Sequence, residues 1–311
     1  MIKKILILII VIFSSIIPKI RVISGVYNRP DLIEIQHKCF KKFLKDDFEQ
    51  FIFNDAIDAK FEKEIEQICA KLNINCIRVP QDIVHKNSQY SVPSFGSSFD
   101  FDNQPHYRVN FREGEMLQFA FEQVGFGHDD IVVSLDIDIF PLKSFSFRNI
   151  LDKNQMCGTL WLVPPFISHY TMPEIMIFDM PNLPKQKAMN FNSGFIGSKW
   201  IDLCGFLQFY IFCNDIKLKF IGQSLPLREI IKSSDWELIQ NGYSYEQVAF
   251  FRRYQAKMYD ELGYNSALDQ FQIIAKCFLN YCQCTNWTNL DGEFVENKTK
   301  LIIEFLQEIT K

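Results

Sequence analysis

Asp136 and Asp138 stand one residue apart at the end of the apolar run Ile131-Val132-Val133-Ser134-Leu135, with Ile137 between them and Ile139-Phe140-Pro141-Leu142 following. In an extended strand, residues two apart face the same side, so the two acids converge while Ile137 packs into the layer behind. Like charges that close repel. A hard divalent cation such as Mg2+ or Mn2+ relieves the repulsion, and its open coordination positions can take the oxygens of a diphosphate. Spacing alone does not establish such a site: Asp100-Phe101-Asp102 repeats it in a polar stretch with no apolar strand before it, and reads as a solvated loop. The bland alternative for Asp136 and Asp138 is a charged strand end facing water.

Other metal-ligating residue types do not form a pattern. The five histidines, at 37, 85, 106, 128 and 169, lack paired ligand spacing. Of the nine cysteines only Cys282 and Cys284 are close, and they lack the second pair of a zinc site, so the cysteines read as buried apolar residues or free thiols. The net charge of -4, with Lys and Arg scattered rather than striped, argues against a nucleic-acid partner. An anionic substrate then needs a metal.

The elements that must position the acids can be read in order. At 311 residues and 48% hydrophobic content the chain can bury a full core. From Ile20 to Val79 it alternates strand, helix, strand, helix, strand, the signature of parallel strands with helical crossovers. The first strand, Ile20 to Val26, ends at Tyr27-Asn28-Arg29-Pro30, where Asn28 or Arg29 can cap a helix and Pro30 can occupy its first turn. That helix carries Leu32, Ile35, Cys39, Phe40 and Phe43 on one face. A second strand, Phe48 to Phe53, ends at Asn54-Asp55, and a third runs from Asn75 to Val79 before a long polar loop to about Pro105. A helix over Val109 to Val124 then delivers the chain to the strand ending in Asp136, so the acids lie where open α/β sheets place ligands. Further helices are expected near 202 to 213, 245 to 262 and 299 to 309. No linker or repeat divides the chain, and one α/β domain over 19–311, with a mixed second half, is the simplest account.

Ahead of it, Lys3-Lys4 precede an apolar run from Ile5 to Ile17 that ends at Pro18-Lys19, giving a separate segment over 1–18. The run reads as a signal-peptide or anchor-like segment, or as an apolar extension packed on the domain. As a helix its thirteen residues reach about 20 Å, short of the roughly 30 Å hydrocarbon core. The run predicts membrane association through residues 5–17, by a membrane-associated or secretory route.

A strand-helix nucleotide-binding half followed by an apolar strand ending in Asp-x-Asp resembles the glycosyltransferase A fold of the nucleotide-diphospho-sugar transferase superfamily, over roughly residues 20 to 290. The resemblance implies a Rossmann-like half with a central, mainly parallel sheet and a mixed second half. It implies Mn2+ or Mg2+ at Asp136 and Asp138, bridging the diphosphate of a nucleotide-sugar donor, with Asp136 also near the ribose. It places the donor at Val26, Tyr27, Asn54 and Asp55, beside Gly25 and Asn28. Arg108 and Asn110, at the start of the helix before the acidic strand, suit a phosphate or base contact, since helix N-termini favour anions; a surface charge is the alternative for Arg108. Asn192-Ser193-Gly194-Phe195 resembles the segment lining the sugar and acceptor pocket, which assigns Asn192 and Gly194, although a tight turn also explains the glycine.

Asp202 reads either as the general base at the acceptor hydroxyl or as the N-cap of a helix over Leu203 to Phe212. Asn280, followed by Tyr281 and then Trp287, takes the place of the histidine that completes the family's metal shell, and Trp287 falls among the donor contacts. An amide oxygen can still serve a hard cation. The activity implied is transfer of a sugar to a glycan, lipid or protein acceptor hydroxyl. A catalytically silent sugar-nucleotide or glycan binder is the alternative, and a haloacid-dehalogenase-like phosphatase, which also ends a strand in Asp-x-Asp, fits less well because about 130 residues precede the motif.

Overall fold

The computed structural model describes residues 19–85, 105–163, 168–196, 199–201, 203–261, 271–281 and 292–311. The apolar run at 5–17 and the polar loop with Asp100 and Asp102 lie outside them. The chain is α/β. Strand β1 (Ile20–Val26), helix α1 (Asp31–Phe43), β2 (Phe48–Asn54), α2 (Ala59–Leu72) and β3 (Asn75–Arg78) form the expected alternation. Short α3 (Gln81–His85) and long α4 (Pro105–Ala120) lead to β4 (Ile131–Leu135).

The second half contains β5 (Ile139–Pro141), α5 (Phe147–Leu151), β6 (Met156–Val163), β7 (Ser168–Asp179), β8 (Gly194–Ile196), β9 (Lys199–Ile201), α6 (Leu207–Cys213), β10 (Leu218–Pro226), α7 (Leu227–Ile230), α8 (Asp235–Gln240), α9 (Tyr245–Gln255), β11 (Phe271–Ile274), β12 (Phe278–Tyr281) and α10 (Gly292–Thr310).

Ten strands join in the order β3-β2-β1-β4-β7-β6-β10-β11-β12-β5, and β8 with β9 forms a separate hairpin. The β3-β2-β1-β4 block is parallel, with β1 against β2 from Ile20 opposite Phe48 to Val26 opposite Asn54. From β7 onward the pairing is antiparallel except between β6 and β10. Strand β4 is buried along its whole length, which is why its sequence is nearly continuous Ile, Val and Leu rather than alternating, and β1 beside it buries Ile20, Val22, Ile23 and Val26.

One consequence of this order positions the acids. Following the sheet from β4 to β5 takes six steps, roughly 29 Å if the sheet were flat. Along the chain, Leu135 and Ile139 are four residues apart and cannot be separated by more than about 14 Å. The limb from β10 to β5 must therefore curl back, and Asp136-Ile137-Asp138 is the seam where it returns to β4. Two contacts close that seam: the Tyr281 amide donates to the Asp138 carbonyl at 2.9 Å, and Asn280 of β12 reaches Glu174 of β7 at 3.0 Å.

The structure corrects several local expectations. Asp136 to Asp138 is a turn, not extended strand: β4 stops at Leu135, and the Ile139 amide donates to the Asp136 carbonyl at 3.1 Å. Neither Asn28 nor Arg29 caps α1; Pro30 is the cap residue, without a side-chain bond, and Arg29 instead pairs with Asp31 at 2.7 Å. The helix ahead of β4 begins earlier than expected, at Pro105, and finishes in a π turn over Phe121–Gly125. Helix α6 starts at Leu207 with Phe206 as its cap residue, so Asp202 is not its N-cap.

Candidate functional site

The acidic turn is held from beneath by a buried amide. Gln36, fully buried on α1, donates through Nε2 to the carbonyls of Asp136 (2.9 Å) and Ile139 (3.1 Å), the two residues that close the turn. Its Oε1 accepts from Gln50 Nε2 at 3.0 Å, and Gln50 Oε1 is 2.8 Å from His37 Nδ1. Because Gln50 presents an oxygen there, the His37 ring is the donor. Ile137 packs into the core, as its apolar side chain requires, and the acids on either side remain half-buried. The Asp136 amide donates to the Glu174 carbonyl at 3.3 Å, tying the turn to β7.

Four carboxylates act on one another here. Burial, then Glu113 of α4, then Asp138 and Glu174 push the Asp136 carboxyl well above the usual carboxylate range. Glu174 is pushed up to about 7 by burial and by Asp138, against hydrogen bonds from Thr159 and Asn280 that favour its charged form. One Glu174 oxygen accepts from Asn280 Nδ2 at 3.0 Å; the other is buried with no hydrogen-bond partner. The groups that shift Asp136 among the described residues are themselves carboxylates. Such an oxygen-rich donor set fits a hard divalent cation.

The fit has a limit: among the described residues no three of His, Cys, Asp and Glu are arranged to hold a metal ion. Asn280 does lie beside the turn, opposite Ile139 in the β5–β12 ladder and buried. Its NH2 is directed at Glu174, so the Asn280 amide oxygen is the atom of that side chain able to meet a cation. Asp136, Asp138 and Asn280, singled out from sequence, are thus brought to one corner, and Glu174 joins them. Glu174 was not read from the sequence, although a carboxylate directly before the apolar run Ile175 to Phe178 was a visible signal.

At the ends of β1 and β2 lies a second group. Arg112 of α4 donates to the Asp55 carboxylate at 2.6 Å and to its carbonyl at 3.0 Å, with its guanidinium 3.6 Å from the centroid of the Tyr27 ring. Burial raises the Asp55 carboxyl, and Arg112 followed by Arg78 pulls it back. Tyr27 is half-buried; Asp55 is buried. Arg112 and Glu113 are neighbours on α4, so the same turn of helix serves Asp55 and acts on Asp136. The adjacent expectations fare differently. Val26 is core and its carbonyl accepts the Asp55 amide, while Asn54 is fully buried, donating to the Glu62 carbonyl at 3.0 Å and accepting from the Ala56 amide at 3.2 Å. Both are buried in the fold, with Asn54 used to tie β2 to α2.

Gly25 is likewise structural. A Cβ there would lie 2.3 Å from the Met116 methyl, so the missing side chain makes room for α4. Asn192 sits against the same helix, donating to Glu115 Oε1 at 2.7 Å, with Gly194 opening β8 two residues on. Arg108 and Asn110 fall in the first turns of α4, but their side chains lie outside the described residues, as do Asp202 and Trp287 entirely.

No family model and no curated protein sequence matches the chain. Solved structures give distant likenesses. The galactosyltransferase LgtC, in complex with donor and acceptor sugar analogues, aligns at 13% identity and TM-score 0.33, over 51% of this chain and 58% of its own. The chain thus spans little more than half of LgtC. The glycosyltransferase GlyE of Streptococcus pneumoniae aligns at 13% identity and TM-score 0.39, over 94% of this chain and 62% of its own. A mannosyltransferase of Pyrobaculum calidifontis, in complex with GDP-Man and Mn2+, aligns at 10% identity and TM-score 0.39, over 95% and 74%. Likeness at this level assigns neither a substrate nor a metal to this chain.

Proposed function

We propose that the chain is a metal-dependent glycosyltransferase that moves a sugar from a nucleoside-diphosphate sugar to an acceptor hydroxyl on a glycan, lipid or protein. The observation that carries this reading is the corner itself: Asp136, Asp138 and the Asn280 amide meet at the C-terminal edge of a parallel block, where open α/β sheets bind ligands. A divalent Mn2+ or Mg2+ held there would neutralise charge growing on a departing diphosphate. Asp138 and Asp136 would hold the cation, and Glu174 holds the Asn280 amide in register. Tyr27 and Asp55, braced by Arg112, form the wall against which the nucleoside end of the donor rests. Asp202 is assigned the proton-accepting role at the acceptor, and Trp287, Arg108, Asn110, Asn192 and Gly194 the outer donor contacts.

The test is turnover of nucleotide sugars by the full chain with Mn2+, for the wild type and Asp138→Ala. The variant is expected to lose about 10²-fold or more in donor hydrolysis or transfer with its thermal midpoint and far-ultraviolet spectrum retained; undiminished turnover would sink the assignment. A second reading, a silent sugar-nucleotide binder on the same frame, draws on Asn280 standing where the resemblance implies a histidine. It requires that Mn2+ tighten nucleotide-sugar binding in the wild type without any hydrolysis or transfer.

A further inference from the structure

The edge of the sheet opposite the acidic turn carries an uncharged helix with two phenylalanine side chains in water. Helix α6 reads Leu-Gln-Phe-Tyr-Ile-Phe-Cys; Leu207 and Tyr210 are buried, whereas Phe209 is 49% and Phe212 87% exposed, with Phe206 6.2 Å from Phe209 between ring centroids. A short chain of contacts links this helix to the start of β1. Tyr210 donates to the Pro184 carbonyl at 2.6 Å; Gln186, in the same turn, accepts from the Gly127 amide at 2.8 Å; and the next residue, His128, lies 2.9 Å from the Lys19 carbonyl through Nε2. Between them Phe126, Leu183, Lys185 and Lys187 line an open cleft of about 710 Å³, and both lysines are exposed. The apolar run Ile5 to Ile17 joins the fold at this edge, with Pro18 alone between it and Lys19.

We propose that this edge seats on an anionic lipid bilayer, with Phe209 and Phe212 entering the interface and Lys185 and Lys187 meeting lipid phosphates. Any bilayer that takes up residues 5–17 must meet the Lys19 edge within a residue or two, because no stem separates them. Thirteen residues, Ser14 and Ser15 among them, are too few to cross the hydrocarbon core squarely, and a short apolar anchor holds firmly only when joined by a second attachment. Exposed aromatic rings beside lysines supply one of the right chemistry. The proposal does not depend on the transferase reading. Its geometric consequence is that the seven residues of β1 place the acidic turn at the far end of the strand, at most roughly 23 Å from the lipid surface.

Flotation of the full chain with vesicles of phosphatidylcholine containing about one third phosphatidylglycerol tests this directly. Two variants keep the apolar run intact: Phe209→Ser with Phe212→Ser, and Lys185→Glu with Lys187→Glu. All four side chains are exposed, so thermal midpoints should match the wild type. Each pair of substitutions is expected to weaken vesicle binding about tenfold, and pure phosphatidylcholine to bind the wild type more weakly than the mixture. Wild-type partitioning by both variants would overturn the proposal, as would equal binding to the two lipid compositions. Loss of self-association in the phenylalanine variant, with vesicle binding unchanged, would also overturn it and make the face a contact between copies.

Discussion

Gln36 occupies a helix position whose neighbours Leu32, Ile35, Cys39 and Phe40 are all buried apolar residues, and its amide is spent on two carbonyls of the acidic turn. Replacing it with Leu keeps the bulk but strands the Asp136 and Ile139 carbonyls and the Gln50 amide away from water. The expected cost is about 1–3 kcal/mol in urea unfolding, accompanied, on the proposed function, by weaker Mn2+ activation because the turn that presents both acids loses its floor. Unaltered Mn2+ dependence would show that the turn holds its shape without the clamp. His37, at the other end of the same network, couples the fold to pH. Burial depresses its pKa, opposed by the bond to Gln50, so the folded ring resists protonation while the unfolded ring takes a proton near its ordinary value of about 6.5. The unfolded state then binds more protons in this window. Stability is fully present above about pH 6.5 and is lost progressively as pH falls toward the depressed folded value. Comparing urea stability from about pH 7.5 to 5.5, the wild type should lose more than His37→Gln; parallel curves would remove His37 as a source.

At the scale of elements, the decisive packing is α4 against the segment before β8. A Cβ on Gly114 would lie 2.6 Å from Asn192 Oδ1, 2.9 Å from the Asn192 Cα and 3.1 Å from the Phe191 carbonyl oxygen. Two of those are backbone atoms that cannot swing aside, so Gly114→Ala should cost about 1–3 kcal/mol and displace the Glu115–Asn192 bond. Gly25→Ala meets only the flexible end of Met116 and should be milder, an ordering that thermal unfolding of the two variants can reverse. The same elements show what a sequence makes legible. Strand β1 and the apolar face of α1 were readable because local period and burial agree, and the parallel block followed from their alternation. The shape of the acidic turn was not, since an apolar strand continuing into Ile-Phe-Pro looks unbroken until β12 pairs with β5 and draws the chain aside. Glu174 and Arg112 were missed for a related reason: each meets its partner across more than fifty residues, and no local periodicity marks such a contact. Asn54 shows the converse, because a polar residue at a strand end suggests a ligand contact, while in the structure its side chain bonds to the Glu62 and Ala56 backbone.

Across the whole molecule, α10 ties the parallel half to the mixed half. Leu301, Ile302, Phe305 and Leu306 are buried in a cluster that also contains Leu32, Ile35 and Cys39 of α1, Phe250 and Tyr254 of α9, and Tyr281 of β12. Phe305 stacks on Phe250 with 3.9 Å between ring centroids, and Thr299 Oγ1 meets the Tyr281 hydroxyl at 2.7 Å. The two other buried clusters also draw on both halves, so opening either half exposes apolar surface of the other. We therefore expect residues 19–311 to behave as one domain, unfolding in a single transition on which circular dichroism and tryptophan fluorescence coincide. Phe305→Ala, which empties the centre of the shared cluster, should lower stability by about 3–5 kcal/mol and move both signals together, although the substitution lies in the last helix. If the two signals separate in that variant, with the β3-β2-β1-β4 block outlasting the curled limb, the chain is two cooperative units meeting at the seam, and the acidic turn would lie on the boundary between them rather than inside one rigid frame.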